Sequence, residues 1–190
     1  MTPDDQTPPI DLQTRHSLRA IQRTRRTNPD LRHYALVDGA GYLTLTKRFN
    51  EPGDRVHWQW LLEGTELDEI KHAGPALLTF TDEDARSDQL LQWLIGRDQQ
   101  SPLVSWLWSE QGFETVAAHL KSQLFTQLPD GRRALFRYYN PTVRQALEAV
   151  LTEKQQAELM TGILYWQTWR PLQQDYLTFT APKKPEVCSA

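Results

Sequence analysis

The chain has 190 residues, of which 39% are hydrophobic and 24% charged, and its 21 basic and 24 acidic side chains give a formal net charge of -3. This composition is typical of a folded globular protein and excludes a disordered or fibrous chain. Because nucleic-acid-binding proteins carry a strongly basic surface, the near-neutral charge predicts no bulk nucleic-acid partner. The single cysteine, Cys188, excludes an internal disulfide framework and a cysteine-based zinc site.

The composition of the N-terminal region does not predict a signal peptide or a membrane-spanning helix. Residues 1–13 are polar and rich in proline, whereas a signal peptide would be apolar. No segment approaches the roughly 20 consecutive apolar residues that a membrane-spanning helix requires. We therefore expect a cytoplasmic protein with no membrane partner and a flexible N-terminal arm over residues 1–13.

A basic helix is predicted over residues 14–27. Its arginines recur at spacings that place them on one helix face, and they are Arg15, Arg19, Arg23 and Arg26. One interpretation is a stripe for an acidic surface, either phosphate or protein. The other is a solvated face that pairs with the chain's own acids. The acids considered for that pairing are Glu63, Glu66, Asp68 and Glu69.

Hydrophobic patterns predict strands and helices along the rest of the chain. Strands are predicted over residues 33–37, 56–62, 76–80, 103–108 and 134–139. Two helices are predicted over residues 65–72 and 113–128. Another begins with a capping box at Thr81 and Asp84 and ends at Gly96, and a fourth begins with Asn140 as N-cap and Pro141 as the first helical residue. Three successive strand–helix units with short turns predict an α/β fold with a central, mostly parallel sheet and helices packed on it.

The C-terminal region predicts a smaller unit. A second capping box at Thr152 and Gln155 begins a short helix to Met160, and residues 163–169 and 175–180 look like strands or a hairpin. We therefore expect a fold with a smaller C-terminal lobe. The predicted boundaries are an arm over 1–13, an α/β lobe over 14–152, and a small C-terminal lobe with a tail over 153–190.

The sequence contains no recognisable catalytic constellation. The turn Asp38–Gly41 lacks the glycines and lysine of a phosphate loop, and none of the five histidines has metal-ligand spacing. His119 lies mid-helix and off the apolar stripe. It is either the general base of a hydrolase, for which no nucleophile is evident, or a hydrogen-bonded structural histidine. We expect a protein that is not an enzyme and that has no cofactor or metal.

Aromatic residues are unusually abundant, with seven tryptophans, and several occur in pairs. Tryptophan and tyrosine are favoured as anchors in protein interfaces, although most tryptophans in a chain of this size are core residues. Arg137 interrupts an apolar run, which predicts either an internal ion pair or a guanidinium presented to a partner carboxylate. The predicted partner contacts are Trp58, Trp60, Trp106, Trp108, Arg137, Tyr139, Trp166 and Trp169.

Five segments together resemble one known family. They are Tyr34–Ala40 (YALVDGA), Ala73–Leu78 (AGPALL), Ser105–Ser109 (SWLWS), His119–Lys121 (HLK) and Ala134–Val143 (ALFRYYNPTV). In this series the chain is similar to the type VI secretion effector adaptors, the Tap or Tec chaperones, from about Tyr34 to Met160. The segment from Phe136 to Pro141, with the upstream His-Leu-Lys, is the most specific part.

The resemblance implies a non-catalytic cytoplasmic adaptor that binds a secreted effector and helps to load it onto the VgrG spike protein. It also implies a set of family positions, which we expect to be structural: Asp38, Gly39, Pro75, His119, Phe136, Arg137, Tyr138, Asn140 and Pro141. Asn140 stands where an aspartate is usual, and Thr142 replaces a common arginine. The alternative function is a nucleic-acid or phosphate-binding module that uses the N-terminal arginine stripe.

Overall fold

The computed structural model describes residues 18–42, 44–80 and 85–181. The strands are β1 Arg32–Asp38, β2 Val56–Trp60, β3 Pro75–Phe80, β4 Val104–Ser109, β5 Phe125–Gln127, β6 Arg133–Leu135, β7 Tyr165–Arg170 and β8 Asp175–Thr180. The helices are α1 Leu18–Thr27, α2 Leu45–Asn50, α3 Ala85–Gln100, α4 Phe113–Ser122, α5 Pro141–Leu147 and α6 Glu153–Leu159. The predictions for the arm over 1–13, for Arg15, for the capping box at Thr81 and Asp84, and for Cys188 lie outside the described residues.

The main sheet has six strands in the order β2-β3-β1-β4-β7-β8, and every neighbouring pair is antiparallel. The expectation of a mostly parallel sheet is therefore wrong. Strands β3 and β4, which α3 connects, do run in the same direction, as a strand–helix–strand unit requires. They are not neighbours, however, because β1 lies between them and pairs antiparallel with both: Leu36 is opposite Leu77 in β3 and Ser105 in β4.

The third predicted strand–helix unit is also absent from this sheet. The predicted helix over 113–128 ends at Ser122, and the chain then forms a separate two-stranded hairpin in which β5 pairs with β6. Gly131, with a φ of 84°, lies in its turn. Residues 136–140 leave β6 as a turn whose first amide donates to the Leu124 carbonyl at 2.7 Å. The run over 134–139 is therefore not one long strand: it ends β6 and continues as a turn, in which Tyr138 and Tyr139 are the buried residues.

Strands β7 and β8 form the predicted hairpin, which the Arg170–Asp175 ion pair closes at 2.6 Å. They belong to the main sheet, because β7 pairs with β4. The smaller C-terminal lobe that we expected as part of the fold is not separate, since this region supplies two of the six strands.

Helices cover both faces of the sheet. Val37, Leu78 and Trp106 face one hydrophobic core, to which α1, α2 and α3 contribute. Leu36 and Leu107 face the other core, which α4, α5 and α6 complete. Because β1 is central and covered on both faces, its sequence is a continuous apolar run and does not alternate.

The predicted helix starts in the second half of the chain are confirmed. The Asn140 side chain accepts from the amides of Thr142 and Val143, both at 3.1 Å, and thereby caps α5. Thr152 and Gln155 form the capping box of α6. Gly96 does not end α3, which continues to Gln100. No helix in the described part of the chain is both long enough and apolar enough to cross a membrane.

Candidate functional site

Three of the family positions meet at the carboxyl end of β1. Asp38 is the last residue of that strand, and its side chain is only 5% exposed. Its Oδ2 accepts from the Arg137 guanidinium at 2.9 Å and from the Asn140 amide at 2.8 Å, while its Oδ1 accepts from the Ala40 amide at 3.1 Å. A nearly buried carboxylate thus joins segments that lie about a hundred residues apart in the chain. We call Asp38, Arg137 and Asn140 the Asp38 cluster.

The turn after β1 requires glycine at position 39, because it lies against the loop that precedes β3. The Gly39 amide donates to the Gly74 carbonyl at 2.9 Å. A Cβ on Gly39 would lie 2.4 Å from the His72 carbonyl oxygen and 2.5 Å from that of Gly74, so only glycine permits this approach. Pro75 begins β3 directly opposite Asp38 in the sheet register. These contacts fix the backbone that carries the Asp38 carboxylate.

Arg137 forms an internal ion pair and also has an exposed side chain, which are the two alternatives that the sequence left open. Its guanidinium forms the ion pair with Asp38 and lies 5.9 Å from the centre of the Tyr139 ring, yet 47% of its side chain is exposed. Burial raises the pKa of Tyr139, and the nearby Asp38 carboxylate raises it further, while Arg137 opposes the shift. The guanidinium is therefore held in place by the protein and still accessible from outside.

The remaining family positions make internal contacts. The Tyr138 hydroxyl is buried and donates to the Leu120 carbonyl at 2.5 Å, and its ring meets Phe136 edge-on at 5.8 Å. His119 Nε2 is 3.0 Å from the Leu159 carbonyl oxygen, a hydrogen bond that ties α4 to the end of α6. Pro141 is buried as the first residue of α5. Tyr138 thus ties the turn over 136–140 to α4, and its ring also meets Trp166 of β7 at 6.0 Å.

A groove of about 390 Å³ opens beside the Asp38 cluster. One wall comes from the end of α3 and the residues after it, and the other comes from the turn after β1 and the turn before α5. Its lining includes Tyr42, Arg97, Gln100, Ser101, Arg137 and Asn140. The Arg97 guanidinium lies 5.2 Å from the centre of the Tyr42 ring and 5.8 Å from that of Trp93. We call this groove the arginine cleft.

The structure does not bring the predicted aromatic partner contacts together. Trp58, Trp60, Trp106, Trp108 and Trp169 belong to the core under α1, α2 and α3, whereas Tyr139 and Trp166 belong to the opposite core. All of them are buried except Trp58, which is partly buried. The buried side chains are therefore packed inside the protein. Of the eight residues, Arg137 is the exposed one.

The paired tryptophans in strands do share a face, as the sequence predicted. The rings of Trp58 and Trp60 are 6.0 Å apart and nearly perpendicular. The rings of Trp106 and Trp108 both contact the buried His33, at 5.3 and 4.4 Å. Trp166 and Trp169 lie three residues apart in β7 and point to opposite faces. The abundance of tryptophan thus fills two cores on either side of one sheet.

The arginine stripe is described only in part. Arg23 and Arg26 are exposed on α1, Arg19 lies in the same helix, and Arg15 lies outside the described residues. Three of the acids considered as its partners form ion pairs elsewhere: Glu63 and Asp68 lie 2.6 and 3.8 Å from Lys71, and Glu66 lies 3.0 Å from Arg133.

Sequence reasoning missed two buried charged residues. The Asp98 side chain is completely buried, and burial raises its pKa to about 6 even though four hydrogen bonds to the carboxylate oppose the shift. Arg144 is 1% exposed and packs on Phe179 and Trp166, and burial lowers its pKa while Glu148 opposes that shift. Their spacing was the available signal, because each lies three or four residues from a leucine on the apolar face of its own helix.

Among the described residues, no three or more histidine, cysteine or acidic side chains form a group that could hold a metal ion.

Three of the family positions, Asp38, Arg137 and Asn140, converge beside an accessible cleft. Residues 33–158 match the family model described as Domain of unknown function (DUF4123). This match covers more than half of the chain, so the chain belongs to that family, which is known as the type VI secretion effector adaptor (Tap/Tec) family. The resemblance identified from the motifs is thus confirmed. No curated protein and no solved structure matches the chain.

Proposed function

We propose that this protein is a non-catalytic cytoplasmic adaptor that binds a type VI secretion effector and helps to load it onto the VgrG spike protein. The observation that carries the proposal is the family match over residues 33–158, which includes every member of the Asp38 cluster. Family membership supports the general adaptor role. The particular effector, the loading step and the absence of catalysis are our inference.

The architecture suits such a role. An adaptor needs a surface that stays in place when no partner is bound, because preorganisation lowers the cost of association. The buried carboxylate of Asp38 and the close approach of Gly39 to Gly74 hold the turn over 136–140 rigidly against the sheet. The exposed Arg137 side chain and the arginine cleft lie on this fixed base, so they form the accessible polar surface that we assign to effector binding.

Co-purification tests the proposal. The tagged chain is expressed with a candidate effector and VgrG from the same organism, and the complexes are separated by size-exclusion chromatography at physiological ionic strength. We expect the effector to elute with the chain in a fixed ratio. A chain that elutes alone, with neither effector nor VgrG, contradicts the proposal.

The same experiment separates the adaptor from a second candidate, a phosphate-binding or nucleic-acid-binding surface on α1, which the exposed Arg23 and Arg26 favour. We expect the double variant Arg23→Gln/Arg26→Gln to retain the effector. Binding to a phosphate backbone would instead fall steeply with salt and would be lost in this variant, because each phosphate contact releases counterions.

A further inference from the structure

We propose that the arginine cleft binds an acidic side chain from an extended segment of the effector. This inference rests on the proposed adaptor function and goes beyond it, since it names the surface and the chemistry of the partner. It follows from the charge of the cleft, from the way its guanidinium groups are held, and from the hydrogen-bond donors that the cleft offers.

The cleft carries one positive charge that the protein does not neutralise. Arg137 is balanced by Asp38 in an ion pair of 2.9 Å. Arg97 contacts the side-chain oxygen of Gln100 at 3.4 Å, and within the described residues no carboxylate pairs with it. The two arginines and Asp38 are the formal charges in the lining, so the net charge of the cleft is positive. A carboxylate complements such a surface and forms strong charge-assisted hydrogen bonds with guanidinium groups.

The guanidinium of Arg97 is also preorganised. Its central carbon, Cζ, lies 5.2 Å from the centre of the Tyr42 ring and 5.8 Å from that of the Trp93 ring. A guanidinium carries several N–H donors, so its contacts with these rings and with Gln100 still leave donors for a carboxylate. Gly41 contributes no side chain to this part of the lining, and a Cβ there would come within 2.9 Å of Leu103 Cδ1. The cleft therefore stays open beside a fixed cation.

The available donors favour an acidic side chain over a chain terminus. Sites that capture a terminal carboxylate present free backbone amides. In this turn the Ala40 amide donates to the Asp38 carboxylate at 3.1 Å, and the Tyr42 amide donates to the Gly39 carbonyl at 3.3 Å. The side chains of Arg97 and Arg137 are thus the strong donors that face the cleft. Its volume of about 390 Å³ falls within the range of ligand pockets, about 300–1,000 Å³.

Peptide binding tests the inference with the full-length chain. Overlapping fluorescein-labelled peptides that cover the effector used in the co-purification are titrated with the protein, and Kd is measured by fluorescence anisotropy. For the tightest peptide we expect Arg97→Gln to weaken binding about 10-fold, the effect of one charge-assisted hydrogen bond. Replacement of the acidic residues of that peptide by their amides should weaken binding similarly. Arg97→Gln should cause little further loss when the amide peptide is used.

The control variant is Arg132→Gln, which removes one arginine from an exposed pair with Asp130 on the turn between β5 and β6. It should leave Kd unchanged. Arg97→Lys keeps the charge but loses the planar group, so it should bind with intermediate affinity. Because Arg97 is exposed on α3, these variants should unfold at the temperature of the unmodified chain.

The outcomes separate the two proposals. If the unmodified chain binds the effector and its peptides, and Arg97→Gln binds them equally well, the assignment of the cleft is overturned and the adaptor function stands. The same holds if the amide peptide binds as tightly as the acidic one. If the unmodified chain binds neither the effector nor any of its peptides, the adaptor function itself is wrong for that effector and the cleft assignment falls with it.

Discussion

Asp98 is a buried carboxylate whose protonation should control the stability of the protein. Its Oδ1 accepts from the amides of Leu103 and Val104, both at 2.9 Å, and its Oδ2 accepts from the Trp106 indole at 3.2 Å and the Tyr176 hydroxyl at 3.0 Å. The residue thereby joins the end of α3 to β4 and β8. Burial favours the neutral form and raises the pKa to about 6 from its usual value of 3.8.

The sign and size of the effect follow from proton linkage. The folded protein binds this proton more tightly than the unfolded chain does, so the resulting stabilisation is fully present below about pH 4 and is lost as the pH rises through about 6. A difference of about two pKa units corresponds to about 3 kcal/mol of unfolding free energy. For a chain of this length, that is roughly 6–12 °C in Tm, at about 2–4 °C per kcal/mol.

The assay compares urea unfolding of the unmodified chain with that of Asp98→Asn between pH 4 and pH 7. The asparagine cannot ionise, so its own contribution to stability should not change with pH. Because its amide group leaves the Trp106 indole without an acceptor, the variant should be less stable than the unmodified chain at pH 4 by about 1–3 kcal/mol. The stability advantage of the unmodified chain over Asp98→Asn should then shrink by about 3 kcal/mol as the pH rises to 7.

The control is Asp30→Asn, which makes the same chemical change at an exposed position after α1. Its stability should follow that of the unmodified chain across the same range. A difference between the unmodified chain and Asp98→Asn that does not depend on pH would refute the assignment of a raised pKa to Asp98.

Two further predictions concern the Asp38 cluster and its loops. Gly39→Ala should destabilise the protein by about 1–3 kcal/mol in urea unfolding, because its Cβ would overlap the Gly74 carbonyl oxygen. The control is Gly96→Ala in α3, whose Cβ meets no atom within 4 Å and which should stabilise the protein by up to about 1 kcal/mol. Equal effects of the two substitutions would contradict the close approach of Gly39 to Gly74. Asn140→Asp keeps one oxygen to cap α5 but replaces the amide nitrogen, which lies 2.8 Å from Asp38 Oδ2, with a second carboxylate oxygen. The variant should therefore lose about 1–2 kcal/mol at pH 7 and recover much of this at pH 4. A loss that is the same at both pH values would argue against the contact with Asp38.

Local sequence patterns predicted individual elements well and the order of the strands poorly. Residues 75–80, α3 and residues 104–109 do form a strand–helix–strand unit. The pattern contains no information about β1, which comes earlier in the chain and inserts between the two strands. Strand neighbours are set by contacts between distant segments, and these leave no periodic signal. The parallel sheet was inferred from three successive local units of this kind, without knowledge of which strands are neighbours, and the prediction was wrong.

The same limit applies to the candidate site. The motifs singled out Asp38, Arg137 and Asn140, but their convergence is a tertiary property that appears only when the turn over 136–140 packs against β1. The tryptophans were considered as partner contacts because the sequence contains more of them than one core needs. The sheet in fact has a core on each face, which accounts for the excess. The burial of Asp98 was not predicted, because a charged residue on the apolar face of a helix only interrupts the hydrophobic pattern and gives no sign of its hydrogen-bond partners.

The central claim is that this chain carries an effector to the spike protein, and a loading assay tests it most directly. Purified VgrG from the same organism is immobilised, and the amount of effector that it retains is measured with and without the chain. We predict that retention depends on the chain and rises with its concentration until the effector is saturated. Equal retention of the effector on VgrG in the absence of the chain would contradict the account.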